Sequence, residues 1–312
     1  DALGVVFEGL RNTLDPRVIL ALSSACHGLR ALTPALLLQQ LRTDHEAAAA
    51  LCRKMEMSCN ELREAKRVDC RYKFLSATDL ATLGKLGSML PALESLYLVE
   101  HSGAASLFMP KDGVQRLAEE LGAGALPAVT LIAAIDMPVG DAGASALAAA
   151  LGRGALPRLE RLSLSGVSGG ASNDTDIGDA GLVALAPALR RLPALKVLNL
   201  NCNPFGDEGI AALVAPPAAG ALPPPTGVLT KLKELSLCST RVNDTGCAAL
   251  AAALDGGALP ALEILELGRI PASAAAKAAV YEARANLQDG ESESEGEEWG
   301  SESEEDEEEE DE

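Results

Sequence analysis

The chain lacks the short motifs by which most enzymes and metal proteins can be read. No Gly-x-x-x-x-Gly-Lys-Ser/Thr stretch occurs, and Gly169-Gly170 has no lysine beside it to hold a phosphate. The three histidines, His27, His45 and His101, lie far apart, and none has a serine or cysteine in a catalytic arrangement. Cys26, Cys52, Cys59 and Cys70 show no paired spacing of the zinc type. Asp174-x-Asp176 begins like a calcium loop, but Gly178 takes the third ligand position and Leu185 the last. The expectation is a non-enzyme, with no catalytic, metal or cofactor-binding residue and no cofactor.

Other absences bound the setting. No apolar run approaches the length of a membrane span, and no signal-peptide pattern is visible at a start that begins with aspartate. Seven cysteines, odd in number and scattered, suggest unpaired thiols in a reducing compartment, hence cytoplasm or nucleus. Asn173-Asp174-Thr175 and Asn243-Asp244-Thr245 fit the glycosylation sequon, but without a secretory signal they read as chance matches. Basic residues are absent from 289–312, where 16 of the 45 acids lie. The rest therefore carries 29 acids against 26 bases, so nearly all of the net charge of −19 belongs to the tail. Neither membrane nor direct nucleic-acid binding is expected.

What the chain has in abundance is a repeat. Apolar residues recur at the same three offsets in Leu93/Leu96/Leu98, Leu159/Leu162/Leu164, Leu195/Leu198/Leu200, Leu232/Leu235/Leu237 and Leu262/Leu265/Leu267. The Leu-x-Leu step alternates like a short strand with both leucines inward. An Asp-x-Gly follows at Asp141, Asp179, Asp207 and Asp244, where the carboxylate can accept a bond from a free N–H at a helix start. Apolar residues then fall three and four apart, as in Val114, Leu117 and Leu121, which predicts an amphipathic helix. Gly122/Gly124, Gly152/Gly154 and Gly256/Gly257 allow the left-handed turn that ends it. A single strand–helix unit cannot bury its own leucines and must stack on its neighbours.

This pattern resembles the ribonuclease-inhibitor-like class of leucine-rich repeat, with units of roughly 28–37 residues over 62–287. Leu195-x-x-Leu198-x-Leu200-x-x-Asn203 fits the family's strand signature in full, while the other units carry His101, Met137, Val167, Thr240 and Ile270 at the asparagine position. Residues 62–89 read as a worn first repeat, with Ser76-Ala77-Thr78-Asp79 offering a capping box. Insertions at Gly166–Asp176 and Pro216–Gly227 read as surface loops. The resemblance implies an α/β solenoid with a curved parallel sheet inside and helices outside.

Three regions follow: a helical segment 1–57, the solenoid 58–287 and an acidic tail 288–312 that composition reads as disordered. Leu14–Leu32, with Ala25-Cys26 and Arg30, resembles an F-box core, although the aromatic before the arginine is replaced by Gly28-Leu29. That likeness implies a ligase adaptor as partner of residues 1–55; the other reading is a helical cap over the first repeat's open edge. In the tail, Ser292, Ser294, Ser301 and Ser303 each have an acid three residues on, which resembles the sites of acid-directed kinases.

The expected binding surface is the concave strand face. Its outward positions are Ser95/Tyr97/Val99, Leu131/Ala133/Ile135, Arg161/Ser163/Ser165, Val197/Asn199/Asn201, Glu234/Ser236/Cys238 and Ile264/Glu266/Gly268. The candidate contacts for a protein partner are Tyr97, Ile135, Arg161, Ser163, Asn199, Asn201, Glu234, Ser236 and Glu266. Tyr97 is the one aromatic among them and Arg161 the main base, a thin supply of the usual anchors. The expectation is an interaction scaffold, in the F-box reading a substrate receptor of a ubiquitin ligase. Two alternatives share the plan of a solenoid and an acidic tail: a GTPase-activating protein of the Ran type, and a histone-binding nuclear protein whose tail takes up basic proteins.

Overall fold

A computed structural model describes residues 13–15, 35–99, 111–166, 176–215 and 229–290. Most of the F-box-like string, His27, His101, Val167, the greater part of both insertions, Trp299 and all four candidate phosphorylation serines lie outside them.

The described chain alternates helix and strand. After α1 (Ala35–Lys54) and α2 (Cys59–Glu64) come β1 (Arg67–Asp69), α3 (Ala77–Lys85), β2 (Ser95–Val99), α4 (Gly113–Glu120), β3 (Leu131–Ile135) and α5 (Gly140–Gly152). Then follow β4 (Arg161–Ser165), α6 (Asp179–Leu189), β5 (Val197–Asn199), α7 (Asp207–Val214), β6 (Glu234–Ser236), α8 (Asp244–Asp255), β7 (Ile264–Glu266), α9 (Ala274–Glu282) and β8 (Gln288–Asp289). The strands form one parallel sheet in the order β1 to β8, each beside its neighbour in sequence. Gln288 and Asp289, which composition assigns to the tail, pair with Ile264 and Leu265 and extend the sheet by one strand.

The register explains the leucine spacing. Val68, Leu96, Ile132, Leu162, Leu198, Leu235 and Leu265 lie in one row across the sheet, and all are buried. They point to the side where the helices pack and share a single core with Leu117, Leu147, Leu182, Ile210 and Leu250 of those helices. Each buried leucine stabilises the fold by roughly 1.5–3 kcal/mol relative to exposure. Because the elements pack chiefly on those of adjacent units, most of that gain exists only in the stack.

The Asp-x-Gly motif does more than start its own helix. Asp141 Oδ1 accepts from the backbone N–H of Gly178 at 2.7 Å and of Gly181 at 2.9 Å, at the start of the following helix, α6. Asp179 does the same for Gly206 (2.9 Å) and Gly209 (2.7 Å), and Asp207 for Asn243 (2.9 Å) and Gly246 (3.0 Å). One carboxylate oxygen thus satisfies two otherwise unpaired helix-start donors and lies at the positive end of the next helix. The glycines two residues past Asp179, Asp207 and Asp244 are explained by the same contact. A Cβ on Gly181 would lie 2.4 Å from Asp141 Oδ1, and one on Gly246 2.5 Å from Asp207 Oδ1. The ladder begins at Asp141, since Asp112 pairs with Arg116 of its own helix at 3.1 Å. It ends at Asp244, which accepts from the N–H of Ser273 at 2.6 Å and from its hydroxyl at 3.0 Å, while Ser273 Oγ accepts from Ala276.

Turn geometry departs from expectation in one respect. Only the second glycine of each pair is left-handed, Gly124, Gly154 and Gly257 having φ of 68°, 85° and 81°. The leucines that open the next units are left-handed as well: Leu126, Leu156, Leu229 and Leu259 have φ between 46° and 56°. All four are buried, so packing holds a conformation that leucine seldom adopts. At the other loop end, buried Asn203 donates to the carbonyls of Leu164, Leu200 and Asn201 and accepts from Ile177, which anchors the chain after the first insertion. Met137 and Ile270 occupy that position elsewhere and simply fill the core.

The first repeat is covered rather than open. Ala48, Leu51, Cys52 and Met55 are buried in the common core, and Lys54 forms an ion pair with Asp79 of α3. Ser76 and Asp79 make the expected capping box. Burial alone would raise the Asp79 carboxyl, but hydrogen bonds from Lys54 and Ser76 hold it below its ordinary value.

Two outcomes test this description. Leu198→Asp should unfold or aggregate the protein, since it places an unpaired charge in the middle of the core at a cost of several kcal/mol. Asn199→Asp, half-exposed on the other face, should leave the melting temperature nearly unchanged; equal losses would mean the strand phase is wrong. Second, Gly246→Ala should lower stability by displacing the Asp207 carboxylate. Gly152→Ala, which meets nothing within 4 Å, should be neutral or slightly stabilising in the same thermal melts.

Candidate functional site

The helix-free face of the sheet carries the side chains that alternate with the buried leucines. One row across it reads Arg67, Ser95, Leu131, Arg161, Val197, Glu234, Ile264 and Gln288. The next reads Asp69, Tyr97, Ala133, Ser163, Asn199, Ser236 and Glu266. Ile135 and Ser165 start a third, shorter row. The in-strand candidate residues all lie on this face, in the register that the leucine spacing predicts.

Their exposure is smaller than expected. Tyr97 and Ser163 are each 8 % exposed and Ser236 only 2 %; Ala133, Ser165, Val197 and Cys238 are also buried. Strands about 4.8 Å apart bring larger neighbours over short side chains. Ser163 thus lies between Ala133 and Asn199, and Ser236 between Asn199 and Glu266. Tyr97 is covered by the Arg67 guanidinium, 4.2 Å from its ring centre. Arg161 is exposed, while Leu131, Ile135, Asn199, Asn201, Glu234 and Glu266 are half-buried.

Charge divides the face into three zones. At the β1 end, Arg71 binds the Asp69 carboxylate through Nε at 2.9 and 3.0 Å, and Arg67 lies 3.6 Å away. Burial would raise the Asp69 carboxyl, yet these partners hold it below its ordinary value. The bases that look like a cluster in the sequence are neutralised nearby: Arg63 by Glu64, Lys66 by Glu94 and Lys73 by Glu56. The β6–β7 end is acidic, with Glu234 and Glu266. The middle is apolar.

That middle zone holds a shallow, open depression bounded by Leu131, Ile135, Val197, Arg161 and Asn199 over Ala133 and Ser163. Ser163 Oγ is buried there and has no hydrogen-bond partner among the described residues. Asparagine spacing suggests free contacts at Asn199 and Asn201, but both are partly committed: Asn199 Oδ1 accepts from Asn201 N at 2.9 Å, and Asn201 Oδ1 from Cys238 N at 2.7 Å. Sequence reasoning missed the depression itself, because it comes from several small residues meeting across strands. The one available signal was Ala133 standing beside Ser163 in the repeat alignment.

Among the described residues no group of three or more His, Cys, Asp or Glu is placed to hold a metal ion. None of the six described cysteines is in a disulfide. Burial pushes the Cys70 thiol up to about 12 and the Cys238 thiol up to about 11. Burial, then a hydrogen bond with Cys59, pushes Cys52 up to about 12. Thiols so shifted are poor nucleophiles. No helix among the described residues is long and apolar enough to cross a membrane.

Comparison with known proteins addresses the repeat. Residues 192–214 and 228–251 match the leucine-rich-repeat family profile. None of the curated proteins compared matches the chain. Among solved structures, a Bacteroides fragilis protein is 14% identical over 78% of this chain and 69% of its own, with a TM-score of 0.42. The Listeria monocytogenes internalin inlF is 13% identical over 67% of this chain, which spans 50% of the internalin, with a TM-score of 0.32. The receptor chain of a TLR13–ssRNA13 complex is 17% identical over 76% of this chain and 30% of its own, with a TM-score of 0.38. These superpositions are loose, and the register of the strands carries the fold. Two units of the chain thus match the leucine-rich-repeat family, and the units on either side repeat their leucine spacing in the same parallel sheet.

Proposed function

We propose that the protein is a non-catalytic interaction scaffold of the ribonuclease-inhibitor-like kind, in the cytoplasm or nucleus, that presents the helix-free face to a protein partner. One observation carries this reading: the face is continuous over eight strands and has at its centre an apolar depression with an unsatisfied buried hydroxyl. An unpaired buried polar atom costs free energy, so a ligand group that bonds Ser163 would recover it. Arg161 at the rim supplies the kind of anchor on which interfaces depend.

The N-terminal segment enters this reading as a cap first. Residues 48–55 are built into the solenoid core, and the Thr13 carbonyl lies 2.7 Å from His45 Nδ1. An adaptor-binding F-box role for residues 1–55 would therefore have to use surface that the core leaves uncovered. It remains the finer proposal, with the Ran-type and histone-binding readings as its competitors.

Capture from cell extract with the full chain separates these readings by what is bound: a ligase adaptor, a Ran-type GTPase or histones. Arg161→Glu combined with Asn199→Lys should remove the bound protein, and Glu208→Lys on the helix side should retain it. Loss in both variants or in neither would remove the helix-free face from the account.

A further inference from the structure

Two cysteines meet where the cap turns into the first repeat. Just past the end of α1 stands a left-handed residue, Glu56, with φ of 59°. The Met57 N–H donates to the Cys52 carbonyl at 3.0 Å and the Glu56 N–H to the Arg53 carbonyl at 3.2 Å. Those two bonds close the helix end and fold the chain back on it. Ser58 starts α2 at once through a capping box with Glu61, so Cys59 is the first residue of that helix. α2 packs against α1, and the Cys52 and Cys59 thiols share a hydrogen bond. Sulfurs already in contact need little movement to bond.

The two thiols differ in what they can do. Cys52 is 2 % exposed inside the common core, whereas Cys59 is half-buried and packs against that core from outside. An oxidant arriving from solvent therefore meets Cys59 first. Burial, then the neighbouring thiol, pushes Cys52 up to about 12, which makes it a poor opening nucleophile. Contact offsets this in a second step, because a group held against its target reacts at a very high effective concentration.

We propose that Cys52 and Cys59 form a reversible redox site, oxidised to a disulfide by hydroperoxides, which fastens the cap helix α1 to α2. The Cys59 sulfur, having given its proton to solvent, attacks a peroxide oxygen. The O–O bond breaks, and the departing hydroxide takes up a proton as water. Cys59 is then a sulfenic acid, which condenses with a nearby thiol. The Cys52 sulfur attacks the Cys59 sulfur, the S–O bond breaks, and the Cys52 proton leaves with the hydroxide as a second water. Two thiols have lost two electrons and one hydrogen peroxide has gained them. Exchange with an external dithiol restores both thiols. In a reducing compartment a bond of this kind is transient, which suits redox sensing. The site belongs to the cap, so it stands apart from whatever the helix-free face binds.

Arg53 and Lys54 lie between the two cysteines, so trypsin puts them in separate peptides, 43–53 and 55–63. The full chain is treated with a small excess of hydrogen peroxide, denatured with iodoacetamide and digested without reductant. The two peptides should appear joined, with a mass two hydrogens below their sum, and dithiothreitol should part them. The link should form severalfold faster than the oxidation of Cys202, the other half-exposed cysteine among the described residues. In Cys52→Ser, dimedone should capture Cys59 as the sulfenic acid; in Cys59→Ser, Cys52 should stay a free thiol. Mapping of the unsubstituted chain decides the bond by itself should a variant unfold. Absence of the link at a peroxide dose that oxidises Cys202 overturns the proposal. So do links from Cys52 or Cys59 to other cysteines in comparable yield, and so does oxidation of Cys52 in Cys59→Ser at the rate of the native link.

Discussion

A single carboxylate oxygen shared between two backbone amides of the next unit ties successive helices of this solenoid together. Hydrophobic burial drives stacking, but it is non-directional and would tolerate units that slide or rotate against one another. The bond between Asp141, Asp179 or Asp207 and the following helix start is directional and fixes where that helix begins. Capping of this kind stabilises by about 1 kcal/mol per site. It repeats at each junction from α5 to α9, so its effect on geometry exceeds its share of the total energy. The glycine whose N–H makes the bond has no room for a side chain, so aspartate and glycine recur together as acceptor and donor of one link.

Fixed helix starts keep the strands in register, and the register makes the face. Leu131, Arg161 and Val197 stand side by side because the inward residues next to them, Ile132, Leu162 and Leu198, lie in one buried row. The apolar depression exists because β3, β4 and β5 bring Ala133 and Ser163 between longer neighbours. At both ends the sheet is closed by other means: α1 and the Lys54–Asp79 pair at one, Tyr281 bonding the Leu265 carbonyl and the Asp289 carboxylate at the other.

Much of this was legible in the sequence, for a physical reason. Leu-x-Leu alternation and three-four spacing report inward faces directly, so strand phase, helix position and the worn first repeat at Val68 could be read from single residues. The Asp-x-Gly motif was legible as a helix-start signal, but its partner was not, because the bond spans 37 residues from Asp141 to Gly178 and nothing local reveals it. Left-handed Leu156 was equally invisible, since leucine has no preference for that conformation and only its packing imposes it. The burial of Tyr97, Ser163 and Ser236 depends on cross-strand neighbours, which a strand read alone does not contain.

The inter-unit link is tested most directly by amide hydrogen exchange in Asp179→Ala. If the carboxylate serves the next helix, exchange should quicken at Gly206 and Gly209, while Gly178 and Gly181, held by Asp141, keep their native protection. Faster exchange confined to Gly178 and Gly181, or no change at Gly206 and Gly209, would contradict the account.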